Sequence, residues 1–385
     1  MANLNHILCL DDFENEAKKI LPRPIFGYVS GATETNASLR YNRTAFDDWA
    51  WLPRVLNDVS KRSTATSILS KKFEAPFGIA PMGIAALTAY RGDIALAKAA
   101  EAENIPMIQS SSSLIAIEEV LKAAPSTWFQ LYLPREIKDG FAMLERLKKA
   151  GCHTLVLTVD SSVVPNRENN LRNRFKTPLE PNLRLLIDGL THPRWTWNVL
   201  LRTLATKGMP HFENVGATRG SALIAKSVER DFSGREHIDW KMIQAMREYW
   251  KGDLILKGIL NPLDAEKAKA LGADGIILSN HGGRQLDGTV SPLKMLPTIR
   301  SQLGDEYLVM IDSGFRRGTD ILKAIALGAD FVFIGRPFNY AATVAEEAGV
   351  IHAIKLLKSE LRANLGLLGK TSVNEVNKEL LVPNT

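Results

Sequence analysis

His281 stands in the run Ser279-Asn280-His281-Gly282-Gly283-Arg284-Gln285-Leu286-Asp287, which puts a titratable base, two glycines and a guanidinium side by side. An imidazole changes charge near neutral pH, so it can take a proton from a substrate. Glycine lets the backbone approach a ligand closely, and arginine grips a carboxylate through two parallel hydrogen bonds. The pattern suits a base beside an anion clamp. A glycine turn with surface charges would use the same residue types. This run, however, continues the apolar stretch Gly275–Ser279, so its polar groups begin where a buried strand ends.

Two more apolar stretches end in similar chemistry, at Asp312-Ser313-Gly314-Phe315-Arg316-Arg317 and at Gly335-Arg336. Arginines on a turn that opens a helix are suited to a phosphate; the plain alternative is a pair of turns with solvated arginines. Lys257 closes the stretch Leu254–Lys257. Buried there it needs an anionic partner, and a flavin N1–C2=O locus, which becomes negative on reduction, would serve. A lone strand-end lysine could equally snorkel to solvent. The other histidines (His6, His153, His192, His211, His237 and His352) are scattered and form no HExxH, so no metal is expected.

What positions these groups is an alternation of short apolar stretches with helical segments between about residues 76 and 345. The stretches are Phe77–Ala80, Met107–Ser110, Trp128–Leu131, Leu155–Thr158, Leu254–Lys257, Gly275–Ser279, Leu308–Asp312 and Phe331–Gly335. Between them lie helical spacings such as Ala265, Ala268 and Leu271 before Gly272, and Ile321, Leu322 and Ile325 before Gly328. Continuous apolar strands separated by helices imply a parallel sheet covered on both faces. Eight such units, with no GxGxxG after the first, predict an α/β fold closed into a (β/α)8 TIM barrel. Its C-terminal rim would collect Gly83, Ser110, Gln130, Tyr132, Thr158, Asp160, Lys257, Ser279, His281, Asp312, Gly314, Arg316, Gly335 and Arg336. Residues 1–70 read as an N-terminal helical cap, with helices over Phe13–Leu21 and Ala45–Trp51. Residues 71–385 read as the barrel, with 165–235 a long insertion after the fourth strand.

The 385 residues carry a net charge of +6, which fits an anionic substrate or cofactor, a membrane surface or nothing in particular. No basic run interleaved with aromatics occurs, so nucleic acid is not an expected partner. Two distant cysteines, Cys9 and Cys152, argue against a disulfide framework. No apolar run reaches the roughly 18 residues of a membrane span, and no signal peptide is apparent. The expected location is cytoplasmic, either free or peripheral on the inner face of the cell membrane.

These motifs resemble the FMN-dependent 2-hydroxy-acid oxidases and dehydrogenases, the family of glycolate oxidase, quinone-linked L-lactate dehydrogenase and mandelate dehydrogenase. The likeness runs nearly end to end. It rests on the His281 run, Lys257-Gly258, Gln130-Leu131-Tyr132, Thr158-Val159-Asp160 and Asp312 to Gly318. It implies FMN-dependent oxidation of a small 2-hydroxy acid, lactate- or mandelate-like and of L (S) configuration, to the 2-keto acid. By the same resemblance His281 is the catalytic base and Asp160 stabilises its imidazolium, raising its proton affinity. Tyr132 contacts the hydroxyl or keto oxygen, and Tyr28, Arg167 and Arg284 bind the carboxylate. Pro81, Met82, Gly83, Ser110, Gln130, Thr158, Lys257 and Ser279 contact the flavin ring or ribityl chain. Asp312, Gly314, Arg316, Gly335 and Arg336 hold ribityl and phosphate. Quinone or another acceptor takes the electrons, and the chain is expected to form a homo-oligomer, a tetramer in many relatives.

The sequence departs from the family at Ser161 to Arg167, where Thr-Pro usually follows the aspartate, and at Asn170, where Asp is common. Ser112 replaces the tryptophan of glycolate oxidase; with Val164 nearby, it leaves room for a side chain larger than hydrogen. Gly83 is the residue of the family's dehydrogenases, where oxidases carry alanine. An oxidase releasing H2O2 and a non-catalytic FMN- or phosphate-binding barrel are the rival readings. Between about 175 and 215, Leu183, Leu185, Leu186, Ile187, Trp195, Trp197, Val199, Leu200 and Leu201 are flanked by Arg184, Arg194 and Arg202. That composition suits membrane contact through 183–204, or equally a lid or subunit contact.

Overall fold

Along a strand successive side chains point to opposite faces, so residues two apart share a face. This period carries the polar strand ends of the sequence to one place. The computed structural model describes residues 3–175, 183–225 and 235–384, with 183–186 as helix backbone only. Its strands in chain order are β1 (Trp49–Trp51), β2 (Thr66–Ile68), β3 (Lys71–Phe73), β4 (Phe77–Ile79), β5 (Ile108–Ser110) and β6 (Trp128–Tyr132). They continue with β7 (Thr154–Thr158), β8 (Asp253–Ile259), β9 (Gly275–Leu278), β10 (Leu308–Ile311), β11 (Phe331–Ile334) and β12 (Leu381–Pro383). β4 to β11 pair in parallel, each with its sequence neighbour from β5 onward and β11 with β4. An Ile79–Met107 bridge, with the Ile79 N–H donating to the Pro106 carbonyl at 2.9 Å, joins β4 to the β5 edge and closes the expected (β/α)8 barrel.

Ile108, Trp128, Val156, Ile255, Ile277, Met310, Phe331 and Phe333 pack together as the barrel interior, and Ile68 and Phe73 of the β2–β3 hairpin plug its base. Two residues further along the same faces stand Ser110, Gln130, Thr158, Lys257, Ser279, Asp312 and Gly335. The apolar filling therefore gives way, in one step of the period, to a polar rim at the C-terminal strand ends.

Outside the strands lie helices that include Pro262–Ala270 and Gly318–Ala326, in which the predicted Ala265, Ala268, Ile321 and Leu322 are buried. At the N-terminus three helices form, Leu10–Ile20, Arg23–Ser30 and Ala37–Thr44. Leu10, Phe13, Ala17 and Ile20 sink into the same core as the barrel helices. The helix expected over Ala45–Trp51 does not form. Trp49–Trp51 is instead β1, paired antiparallel with Leu381–Pro383 of β12. Alternate aromatics suit a strand, and the partner that decides the matter is at the far end of the chain.

The insertion between β7 and β8 holds helices Leu183–Thr191, Pro193–Trp195 and Arg202–Lys207 and a π-helical stretch Thr196–Leu201. Its inner side is anchored. The Trp195 indole donates to the Leu87 carbonyl at 2.7 Å, Arg194 donates to the Val344 carbonyl, and Arg202 lies 2.8 Å from the Glu346 carboxylate. Its segments 176–182 and 226–234, and the side chains of Leu183, Arg184, Leu185 and Leu186, lie outside the described residues.

Candidate active site

A cleft opens at the polar rim, lined by residues from most of the barrel strand ends and from the N-terminal segment. His281 sits at its wall. Its Nδ1 is 3.1 and 3.3 Å from the two Asp160 oxygens, and the Tyr132 hydroxyl lies 3.3 Å from Nε2. A carboxylate only accepts, so Nδ1 carries the hydrogen and Nε2 keeps its lone pair, which accepts from the Tyr132 hydroxyl at the cleft wall. The Tyr132 ring stacks on the imidazole with centroids 6.2 Å apart and planes 18° from parallel.

The charge state of this group follows from competing terms. Burial pushes the His281 pKa down, and Lys257 and Arg167 push the same way, while Asp160 pulls it up; the net direction is down. The sequence expectation that Asp160 raises the base's proton affinity holds for that one interaction but is outweighed by desolvation. The outcome is a neutral imidazole, the form a base requires. Burial would raise the Asp160 pKa, but the charge and hydrogen bond of His281, with Lys257 behind, hold it below the ordinary value. Burial and Asp160 both raise the Tyr132 phenol, which stays protonated.

Lys257 is 4% exposed, and its ammonium donates to Ser279 Oγ at 2.9 Å and pairs with Asp312 Oδ2 at 3.0 Å. Burial lowers its pKa, yet Asp312 and Asp160 more than reverse this, so it stays charged. The anionic partner demanded by a buried lysine is thus supplied by the chain itself. Asp312, expected on ribityl and phosphate, spends its carboxylate on Lys257 and on the Ser313 hydroxyl, 2.7 Å away.

Two buried donors on the cleft have no hydrogen-bond partner among the described residues, Gln130 Nε2 and Arg316 Nη1. The Gln130 Oε1 accepts from Ser110 Oγ at 2.9 Å, which orients the amide and leaves Nε2 toward the cleft. Arg316 also reaches Glu14 at 3.1 Å. Orphaned donors in a deep cleft match a ligand with carbonyl acceptors at one part and an anionic group at another, as FMN has. The residues fit the cofactor.

Pro81, Met82, Gly83, Gln130, Thr158, Lys257, Asp312, Gly314, Arg316, Gly335 and Arg336 line the cleft, as do Tyr28, Tyr132, Arg167, His281 and Arg284. Ser110 and Ser279 stand behind it, acting through Gln130, Lys257 and the His281 N–H rather than facing a ligand. Arg336 differs from expectation too. Its three guanidinium nitrogens donate to the carbonyls of Val29, Gly282 and Gly31 at 2.8, 3.0 and 2.8 Å, and burial and Arg284 lower its pKa to about 10. The side chain is a strut, which leaves the start of the Arg336–Leu367 helix to face an anion.

Tyr28, Arg167 and Arg284 meet from three places in the chain. The Arg284 guanidinium lies 4.9 Å from the Tyr28 ring centre and donates to the carbonyls of Tyr28 and Gly31 at 2.7 and 2.8 Å. Arg167 Nε donates to the Arg284 carbonyl at 3.1 Å, so the unusual Ser161 to Arg167 loop still delivers its arginine to the cleft. Sequence reasoning missed Val29, Leu39, Arg43 and Asn339, which also line the wall. Nothing in local spacing marks the first three, because they belong to a segment outside the barrel strands.

A family model described as FMN-dependent dehydrogenase matches residues 17–383. The L-lactate dehydrogenase of Ectopseudomonas mendocina (strain ymp) is 39% identical over 382 residues, covering 96% of this chain and 97% of that protein. The (S)-mandelate dehydrogenase of Pseudomonas putida is 36% identical over 374 residues, covering 97% and 93%. The solved structure of the monotopic membrane protein (S)-mandelate dehydrogenase superposes with a TM-score of 0.88 at 34% identity, over 98% of this chain and 100% of that one.

Proposed function

Because the chain belongs to the FMN-dependent dehydrogenase family, we propose that it oxidises a lactate- or mandelate-like L (S)-2-hydroxy acid and passes the electrons to quinone at a membrane surface. Its activity is FMN-dependent oxidation of a 2-hydroxy acid to the 2-keto acid; substrate side chain, stereochemistry and acceptor are the proposed part. The observation that carries the chemistry is the His281 imidazole, its Nδ1 3.1 Å from Asp160, on the cleft that Arg284 and Arg167 share. FMN, when bound, accepts the two electrons that leave the substrate. Gln130, Thr158 and Lys257 would hold the ring, and Gly314, Arg316, Gly335 and the Arg336 helix start the ribityl phosphate. Arg284, Arg167 and Tyr28 hold the carboxylate, Tyr132 holds the substrate oxygen, and Nε2 of His281 takes a proton. Asp160 stabilises the imidazolium that results.

Ser112 on the cleft supports a substrate side chain larger than hydrogen, and Gly83 supports a dehydrogenase over an oxidase. Anaerobic bleaching of the flavin by L- and D-lactate and L- and D-mandelate tests the substrate. No bleaching by any of them would overturn it. Stopped-flow reoxidation tests the acceptor: fast reaction with oxygen on the turnover timescale would favour the oxidase.

Membrane contact is supported by the insertion's outer side, where Leu190 and Trp197 are 70% and 67% exposed and Ile187, Leu201 and Leu204 are also exposed. An anchored inner side and an apolar outer one suit a segment lying in the interface. No described helix is long and apolar enough to cross a membrane. Deleting residues 183–204 should release the protein from vesicles; unchanged partitioning would refute the contact. The chain is read as a homo-oligomer, a tetramer, which light scattering checks.

A further inference from the structure

The loop that carries His281 is clamped to the N-terminal segment through a carboxylate that the reaction itself does not use. Asp287 Oδ2 accepts from the Thr35 N–H at 2.9 Å and the Thr35 hydroxyl at 2.6 Å, and Oδ1 accepts from the Ser38 N–H at 3.0 Å. Ser38 lies in the first turn of the helix Ala37–Thr44, whose own cap residue Asn36 makes no side-chain capping bond to it. Asp287 therefore caps that helix from a distant loop, placing negative charge at the dipole's positive end. Around it the two layers are locked together. The Thr33 N–H and hydroxyl both donate to the Gly283 carbonyl, at 3.0 and 3.1 Å. The Ser38 hydroxyl donates to the Leu286 carbonyl at 3.2 Å. A Cβ on Gly283 would lie 2.7 Å from the Leu39 nitrogen, so the layers touch at backbone distance.

Tyr28 enters the substrate pocket from the helix Arg23–Ser30, which leads directly into this clamped segment, and Arg284 enters from the loop. We infer that Asp287 is a positioning residue for substrate binding, holding the Tyr28 segment against Arg284 so that the carboxylate site keeps its shape. The inference rests on the reading of Tyr28 and Arg284 as carboxylate ligands. It separates two functions on one loop, because His281 is oriented independently by Asp160 and Ser279. Loosening the clamp should weaken binding and spare the chemical step.

The test is anaerobic flavin reduction over a range of hydroxy-acid concentrations, which yields an apparent Kd and a limiting rate. Oxalate binding to the oxidised holoenzyme gives a readout without turnover. For Asp287→Ala the Kd for both should rise about tenfold, a loss of roughly 1.4 kcal/mol, with the limiting rate within about threefold of the parent. Asp287→Asn, which keeps an acceptor, should restore part of the affinity. Thr35→Val removes only the hydroxyl bond and should cost about two- to threefold in Kd, which keeps the idea testable if the alanine variant does not fold. An unchanged Kd in Asp287→Ala, or a limiting rate that falls with Kd constant, overturns the inference. Arg284→Met serves as control. If it too leaves Kd unchanged, the carboxylate-site reading is wrong; if it weakens binding and Asp287→Ala does not, only the positioning role fails.

Discussion

The ammonium of Lys257 lies 3.0 Å from the Asp312 carboxylate, the former residue inside β8 near its C-terminal end and the latter just past β10, with β9 between the two strands. Both are buried, and Asp160 adds a second negative charge that favours the ammonium. Removing one member of a buried pair strands the other, at a cost of about 3–5 kcal/mol. Lys257→Met should therefore lower the melting temperature and the flavin content together. Thermal denaturation and the ratio of flavin to protein absorbance check this, and a variant with full flavin and unchanged stability would contradict it.

His281→Gln should retain FMN while flavin reduction by the hydroxy acid slows by about 10²–10⁴-fold. Anaerobic stopped flow measures the rate, and near-parental reduction would refute the base assignment.

The pH profile follows from the direction of the His281 shift. Burial lowers its pKa below the ordinary value, so the neutral, competent form predominates at neutral pH and is lost as pH falls through that lowered pKa. Asp160 opposes that shift. Asp160→Asn should then move the acid limb of the limiting flavin-reduction rate to still lower pH, while the plateau rate falls because the imidazolium loses its partner. A limb that moves toward neutrality would show that the carboxylate does not act on this imidazole.

Arg316→Met removes the orphaned guanidinium donor of the cleft, together with the ion pair that the same side chain makes to Glu14 at 3.1 Å. FMN affinity, measured by the return of flavin fluorescence on release, should fall by about 10- to 100-fold, the range of a lost charge-assisted bond. The limiting rate of fully loaded enzyme should change little.

Gly258 tests the geometry behind Asp160. Its φ is +105°, and a Cβ there would lie 2.7 Å from the Asp160 Cβ and Cγ. Gly258→Ala should displace that carboxylate and slow flavin reduction by about tenfold or more, with a stability loss of about 1–3 kcal/mol. Parental rates in a folded variant would show that Asp160 tolerates displacement.

Much of the molecule is already decided by the order of its residues. Period-two faces put apolar side chains inside the barrel and turn the next inward position polar. Ile108 to Ser110, Ile255 to Lys257 and Ile277 to Ser279 thus predict both the strands and the rim they serve. The His281 run, Lys257 and Arg316 are legible for the same reason: their signals are local. What needed the tertiary structure are the interactions between distant segments. These include the β1 strand, whose partner β12 lies at the other end of the chain, and the use of Asp312 as the counter-ion of Lys257. The turning of the Arg336 side chain into a backbone strut and the N-terminal wall of the cleft belong with them. A side chain's partner depends on which backbone folding brings within three ångströms, and on how much water is lost there. No spacing along the chain encodes either, which is why desolvation rather than the neighbouring aspartate sets the charge of His281.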